Sequence, residues 1–444
     1  MKMMDIYIPE NVNRILEKLE GAGYEAYIVG GCVRDAILGK NPRDYDVATS
    51  ALPEEVKTAL DGFNIIETGI RHGTLTVVSG EEYVEVTTFR IDGGYKDHRH
   101  PESVEYAKNL AVDLARRDFT INAMAYNARI GLIDNYGGQK DLFRRVIRCV
   151  GEPRTRFNED ALRIIRALRF ASELGFEVSK RTAEAIHDMK KSLLDIAPER
   201  IAKELDLLLT GSSPQNVLLD FSDVFCVLFP EIASCVGFDQ HSKYHVYDVW
   251  KHTAVAIESS MSDREVRLAL LFHDIAKPRC CVFDDEGNGH FPGHEQESAE
   301  EAEKIMRRMN YSSDTVKCVS ELIKYHYITP IDDEKVVKKL LAAIGSQYFF
   351  KLMELMKADS RAKQSFCFER GQVLEAMCAK AEKILSDKEC ISITQLDIKG
   401  TDIAELGAKG SRIGEVLNEL LMRVIDGKVQ NLHSELREAA KKII

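Results

Sequence analysis

The sequence predicts a multidomain α+β protein: an N-terminal head with a mixed or antiparallel sheet and helices, then an all-α remainder. Three observations carry this. The chain has 444 residues, too many for one ordinary core, so two to four domains are expected. Short β-rich runs are confined to about the first 150 residues. From Asn158 onward apolar residues recur with helical period to the end.

In the head, Tyr27-Ile28-Val29 is a short apolar run broken by Gly30-Gly31, and Val33 to Leu38 reads as one or two helical turns ended by Gly39. Asp44-Tyr45-Asp46-Val47 alternates, which puts Asp44 and Asp46 on one face of a strand. Two adjacent carboxylates repel unless a cation lies between them, so one or two Mg²⁺ ions suit the pair. The glycines admit a triphosphate close to the backbone, and Arg34 supplies charge for it. A bare glycine turn beside a surface Asp-x-Asp is the plain alternative. Residues 64–68, 75–78 and 83–88 complete the β-rich set. There Glu85 is either a third carboxylate near the pair or a solvent-facing side chain. Residues 90–101 read as a polar loop. Arg116-Arg117-Asp118 then leads into a small amphipathic helix, where the arginines hold phosphate and ribose oxygens or make plain salt bridges.

Beyond the head, Glu159-Asp160-x-x-Arg163-x-x-Arg166-x-x-Arg169 places Asp160 and the three arginines along one helical stripe. A carboxylate acceptor one turn from a guanidinium donor matches the polar edge of a base, and the later arginines reach phosphates. An exposed ion pair is the bland reading. The net charge of −11 argues against a general nucleic-acid binder. Yet eight arginines from Arg144 to Arg169 face only Glu152, Glu159 and Asp160, a zone that permits a phosphate channel. In the helical middle, His252, His273-Asp274, His294, His326 and Asp359 form an imidazole–carboxylate set suited to a metal. Connections are expected at 211–214 and 386–388. No run of eighteen apolar residues and no secretory signal occurs, and the ten cysteines are scattered, which fits reduced thiols in the cytoplasm.

Together these motifs resemble the class II CCA-adding tRNA nucleotidyltransferases of the polymerase β-type superfamily, with an HD phosphohydrolase-like domain. The resemblance runs from Gly-Gly-x-Val-Arg-Asp and Asp-x-Asp through Arg-Arg-Asp-Phe-Thr-Ile-Asn-Ala-Met to Glu-Asp-x-x-Arg and Pro198-Glu199-Arg200-Ile201. It covers about the first 210 residues firmly and the last 55 or so more weakly. It implies a nucleotidyltransferase head at 1–150, a base-recognising neck at 151–215, an HD-type domain at 216–365 and a tRNA-binding tail at 366–444. Asp44 and Asp46, with Glu85, would hold Mg²⁺. Gly31, Arg34, Arg117, Asp160, Arg163, Arg166 and Arg169 would bind CTP or ATP, and tRNA would be the acceptor, with no membrane involved. The loop at 90–101 corresponds to one that favours full CCA addition. His252, His273, Asp274 and Asp359 would bind one divalent transition metal, and His294 and His326 a second; Lys277 would approach a substrate phosphate. Two alternatives stand: a bacterial poly(A) polymerase or A-adding enzyme, and an HD phosphohydrolase with an RNA-binding N-terminal module.

Overall fold

The computed structural model describes residues 6–67, 69–70, 73–80, 82–92, 104–364 and 369–444. The chain forms two compact units, Met1–Pro230 and Glu231–Ile444.

The first unit is organised by β1 (Ala26–Val29), β2 (Asp46–Thr49), β3 (Asn64–Ile66), β4 (Thr74–Ser79) and β5 (Glu82–Thr88). A separate antiparallel pair, β6 (Arg90–Asp92) and β7 (Val104–Tyr106), follows; then come β8 (Ala125–Asn127) and β9 (Gly131–Ile133). Apart from that pair, they make one mixed seven-stranded sheet in the order β3-β4-β5-β2-β1-β8-β9, in which only β2 and β5 run parallel. The expected mixed sheet is therefore present. Burial alternates along β4 but is continuous along β1 and β8, as it must be for strands covered on both faces. Beyond β6, the rest of the loop expected at 90–101 lies outside the described residues.

A short parallel pair, β10 (Val146–Ile147) with β11 (Glu177–Val178), and the bridge Phe119↔Cys149 join the sheet region to the helices that follow. Helix Leu162–Leu174 packs on helix Pro198–Leu209, and both bury a leucine- and isoleucine-rich face. The second unit is helical, as expected, except for a hairpin of β12 (Val282–Phe283) and β13 (Gly289–His290) that helical periodicity did not reveal. The Asp284 carboxylate shapes its turn by accepting from the amides of Glu286 and Asn288. The final helices close a separate small core around Ile403, Val416, Leu420 and Leu436. The connections expected at 211–214 and 386–388 do fall at helix boundaries.

Helix Gly138–Arg144 is pinned at its start. The amides of Gly138 and Gln139 donate to the Asp134 carboxylate at 2.7 and 2.9 Å. A Cβ at Gly138 would stand 2.3 Å from the Thr120 carbonyl oxygen. Gly138→Ala is therefore expected to cost roughly 1–3 kcal/mol through overpacking. Gly21→Ala, which adds a methyl into open space, should leave the thermal unfolding midpoint unchanged or slightly raised.

Candidate active site and metal centre

In the first unit, β2 and β5 bring two of the expected carboxylates side by side, because their register sets Asp46 opposite Glu85. Glu85 is exposed there, in keeping with an open cleft. Asp44 does not stand on the strand as the alternation suggested. The ladder begins at Asp46, and Asp44 occupies the connection before it. Asp46 keeps solvent-accessible surface, yet its pKa is pushed up to about 6, first by desolvation among its neighbours; Arg117 opposes this, while Glu85 and Asp44 add to it. This clustered negative charge is poorly compensated by one guanidinium and fits a divalent cation.

The glycine turn sits against that cluster. Gly30 adopts φ +78°, and a Cβ there would lie 3.0 Å from Arg117 Nη1 and 3.8 Å from Asp46 Oδ2. Only a glycine reconciles the turn with so close a guanidinium. Gly31 opens the next helix, with Arg34 Nη2 3.7 Å from where its Cβ would be. Arg34 is held by Asp35 and donates to Asn122 Oδ1 at 2.9 Å. Arg117 donates to Asp113 at 3.3 Å, while its buried Nε has no hydrogen-bond partner among the described residues.

The Glu159–Arg169 segment departs from a single helical stripe. The helix starts at Leu162, so Asp160 lies outside it and accepts the Leu162 amide at 3.0 Å and Arg200 Nη2 at 3.3 Å. Arg163 is buried, donating to the carbonyls of Arg156 and Arg116 and to Glu159. Arg166 donates twice to Asp118 Oδ2, at 3.1 and 2.7 Å, and once to Glu204 at 3.4 Å. Arg169 lies 2.7 Å from the other Glu204 oxygen. The Asp118 carboxyl is held below its usual range: burial alone would raise it, but the Arg166 charge and hydrogen bonds prevail. Phe170, on the buried side of the helix, belongs to the site although no expected residue pointed to it. Its ring gathers the guanidiniums of Arg34, Arg166 and Arg169, with Arg169 3.9 Å from its centroid.

In the second unit, all six expected metal residues converge. His252 comes from helix Val249–Ser259, and His273-Asp274 follow helix Arg264–Phe272. His294 opens helix His294–Arg308, His326 ends helix Ser313–Tyr325, and Asp359 lies within helix Ser346–Arg361. Three of the histidines share one local device. Nδ1 of His273, His294 and His326 each bonds the carbonyl three residues earlier, at 2.7, 2.7 and 2.6 Å. His252 Nδ1 uses the Ala362 carbonyl at 3.2 Å. A carbonyl only accepts, so each Nδ1 carries a proton, and in the neutral imidazole each Nε2 is left with the lone pair a metal would take.

Those lone pairs face carboxylate oxygens. His252 and His273 Nε2 stand 3.6 and 3.1 Å from Asp274 Oδ2, while His294 and His326 Nε2 stand 3.5 and 3.7 Å from Oδ1. Asp359 Oδ1 is 3.0 Å from His252 Nε2 and 3.8 Å from His273 Nε2. Asp274 Oδ1 and the Nε2 atom of His294 are buried without a hydrogen-bond partner among the described residues. Separations of this size are the ligand–ligand edges about an ion with bonds of about 2.0–2.2 Å. The residues form two groups able to hold a metal, His252-His273-Asp274 and Asp274-His294-His326, which share Asp274. Lys277 Nζ lies 2.8 Å from Asp274 Oδ2, and Lys363 donates to Asp359 Oδ2 at 2.6 Å, so the carboxylates are charge-compensated from outside. An adjoining cavity of about 680 Å³ is lined by Tyr244, Lys277, Phe291, Tyr327 and Lys363. His245 also lines it, packed edge-on against His252 at 5.1 Å. It was not among the expected residues; it lies seven residues before His252, in the connection that precedes helix Val249–Ser259, where no period carries a signal.

Comparison with known proteins follows the same division. Residues 26–148 match the family described as poly A polymerase head domain, 175–236 the probable RNA and SrmB-binding site of polymerase A, and 243–345 the HD domain. The CCA-adding enzyme of Lactiplantibacillus plantarum is 33% identical over 431 residues, spanning 97% of this chain and 95% of that protein. The CCA-adding enzyme of Lactobacillus delbrueckii subsp. bulgaricus is 49% identical over 207 residues. That match spans 47% of this chain and only about half of the relative, 52%. Among solved structures, the Bacillus stearothermophilus CCA-adding enzyme in complex with CTP superposes with a TM-score of 0.76 at 26% identity over 98% of each chain. Among the described residues, no helix is long and apolar enough to cross a membrane.

Without a metal, the pKa of His273 is raised to about 9, because Asp274 and Asp359 outweigh the burial that would lower it. A metal ion must displace that proton. Cation uptake by the second unit should therefore release protons at neutral pH, with affinity rising as pH increases toward about 9. Titration calorimetry with Mn²⁺ in two buffers of different ionisation enthalpy measures this. His273→Ala should abolish both the uptake and the release.

Proposed function

The chain belongs to the CCA-adding enzyme family, and from that membership we propose that it extends tRNA 3′ ends with C, C and A from CTP and ATP, without a template. The observation that carries the proposal is the carboxylate group at Asp46, Glu85 and Asp44 beside the Gly30-Gly31 turn and Arg117. In this reading the carboxylates hold Mg²⁺, which supplies charge neutralisation on the triphosphate and a more acidic 3′-hydroxyl. The Gly30-Gly31 backbone, Arg34 and Arg117 hold the phosphates in line for attack at the α-phosphorus, and pyrophosphate leaves. Asp160 and Arg163 present an acceptor and donors to the base edge. To do so Arg163 exchanges its bonds to the Arg116 and Arg156 carbonyls for the base. Arg166 and Arg169, held by Asp118 and Glu204, wall the same site. The four-part division at 150, 215 and 365, the tail as a tRNA-binding element and a cytoplasmic location belong to the same proposal.

A second activity is favoured by one observation, the four Nε2 atoms that converge on Asp274 and Asp359. We assign this centre to divalent transition-metal-dependent hydrolysis of a phosphomonoester or 2′,3′-cyclic phosphodiester. Lys277 and Lys363 at the cavity wall are placed to meet the phosphate.

One assay separates the readings: protein, Mg²⁺ and tRNA lacking its 3′ terminus, with CTP, ATP or both, and product sequencing. Extension stopping after CCA is expected. Long A tails indicate poly(A) polymerase, addition of A alone an A-adding enzyme, and no incorporation a hydrolase with an RNA-binding module. Asp44→Ala with Asp46→Ala should reduce incorporation at least about a thousandfold, a loss of several kcal/mol of transition-state stabilisation. His273→Ala with Asp274→Ala should leave incorporation intact and remove hydrolysis of bis-p-nitrophenyl phosphate.

A further inference from the structure

Helix Gly138–Arg144 turns its second half outward with an unusual composition. Phe143 is 91% exposed, the most exposed of the large apolar side chains among the described residues. Lys140 and Arg144, three residues before it and one after, are exposed on the same side, and neither forms an ion pair among the described residues. Arg145 follows, also exposed, in the left-handed conformation at φ 58°. The only acid in this stretch is Asp141, which is buried and engaged by Thr120 and Arg148. The outward face is therefore cationic around a bare aromatic ring. Leaving a Phe ring in water forgoes the burial that elsewhere stabilises such a side chain by about 1.5–3 kcal/mol, and the helix core does not need it.

The face is continuous with the segment that matches an RNA-binding family. That match begins at Gly175. Arg145 Nη2 donates to the Gly175 carbonyl at 3.4 Å, and β10, which directly follows Arg145, pairs with β11 inside the matched segment. Helix and segment thus share one edge of the first unit.

We infer that Phe143 is a stacking platform for a base of the bound RNA, with Lys140, Arg144 and Arg145 on the flanking phosphates. The inference rests on RNA being the partner. Every base has a π-face, so such a platform gives affinity without sequence preference, as an enzyme acting on many tRNAs requires.

The test uses the full chain and tRNA transcripts lacking the 3′ terminus, with equilibrium binding measured across a salt series. Because Phe143 is exposed, its replacement should not unfold the protein; unchanged thermal unfolding of each variant checks this. Phe143→Ala should weaken tRNA binding about tenfold, equivalent to about 1.4 kcal/mol. Phe143→Leu should fall with it, while Phe143→Tyr and Phe143→Trp bind within about twofold of the parent. Trp250, the single native tryptophan, is buried, so the fluorescence of Phe143→Trp should be quenched on adding tRNA. Lys140→Glu with Arg144→Glu should flatten the salt dependence by about one unit of slope for each phosphate no longer neutralised. Parent-like affinity of Phe143→Ala, or full affinity of Phe143→Leu, would overturn the platform while leaving the transferase proposal standing. A parent protein that binds no tRNA would overturn both.

Discussion

The first unit depends on one half-buried carboxylate. Asp118 accepts from the Phe119 amide and Asn122 on one oxygen and from Arg166 on the other. Arg166 continues to Glu204, and Asn122 continues to Arg34 at the glycine turn. A single chain of charge-assisted bonds therefore runs from helix Pro198–Leu209 to the helix that opens at Gly31. Removing Arg166 would leave the buried Glu204 carboxylate with Arg169 alone and Asp118 without its guanidinium. The network also fixes where the arginines of the cleft can be. With Asp118 and Glu204 between them, Arg34, Arg166 and Arg169 can share the ring of Phe170 instead of repelling one another out of the cleft.

Both candidate centres use the same electrostatic logic in opposite registers. Around Asp46, carboxylates are placed together beside one guanidinium, and desolvation, with the Glu85 and Asp44 charges adding to it, pushes the Asp46 pKa up. Around Asp274, imidazoles and carboxylates are placed with their lone pairs converging, and a proton on His273 stands where a cation would. In each case the fold holds groups in an arrangement that is unfavourable empty and favourable loaded. Rigid scaffolding makes that possible: a β-ladder register in one centre, and helix ends with repeated Nδ1-to-carbonyl bonds in the other.

Short-range periodicity made much of this legible in the sequence. The mixed sheet of the head and the six candidate metal residues of the second unit follow from alternation or from ordered motifs, and of Glu85 the two readings, beside the pair or facing solvent, both hold at its place opposite Asp46. What escaped was set by partners far along the chain. Asp44 left the strand because β2 pairs with β1 and β5 only from Asp46 onward. Asp160 left the helix because its carboxylate is spent on the Leu162 amide and on Arg200, forty residues later. Arg163 is buried because the Arg116 carbonyl, forty-seven residues earlier, takes one of its donors. No local pattern encodes such pairings. The hairpin at residues 282–290 was missed for a different reason: its strands are two residues each, below any detectable period.

The distribution of charge in the fold differs from what the acidic sequence suggests. The arginine-rich run looked in sequence like a continuous basic zone, but the fold neutralises most of it. Arg154 pairs with Asp188, Arg156 and Arg163 with Glu159, Arg166 with Asp118, and Arg148 with Asp141. Acids from elsewhere in the chain thus turn the zone into structure rather than field. What remains uncompensated of that run, among the described residues, is small and gathers on one helix, around Phe143. Because screening leaves only charges within about 8–10 Å effective at physiological salt, net charge says little about binding. The few cations that the fold leaves unpaired mark where phosphates can come close, and the base platform proposed at Phe143 stands among them.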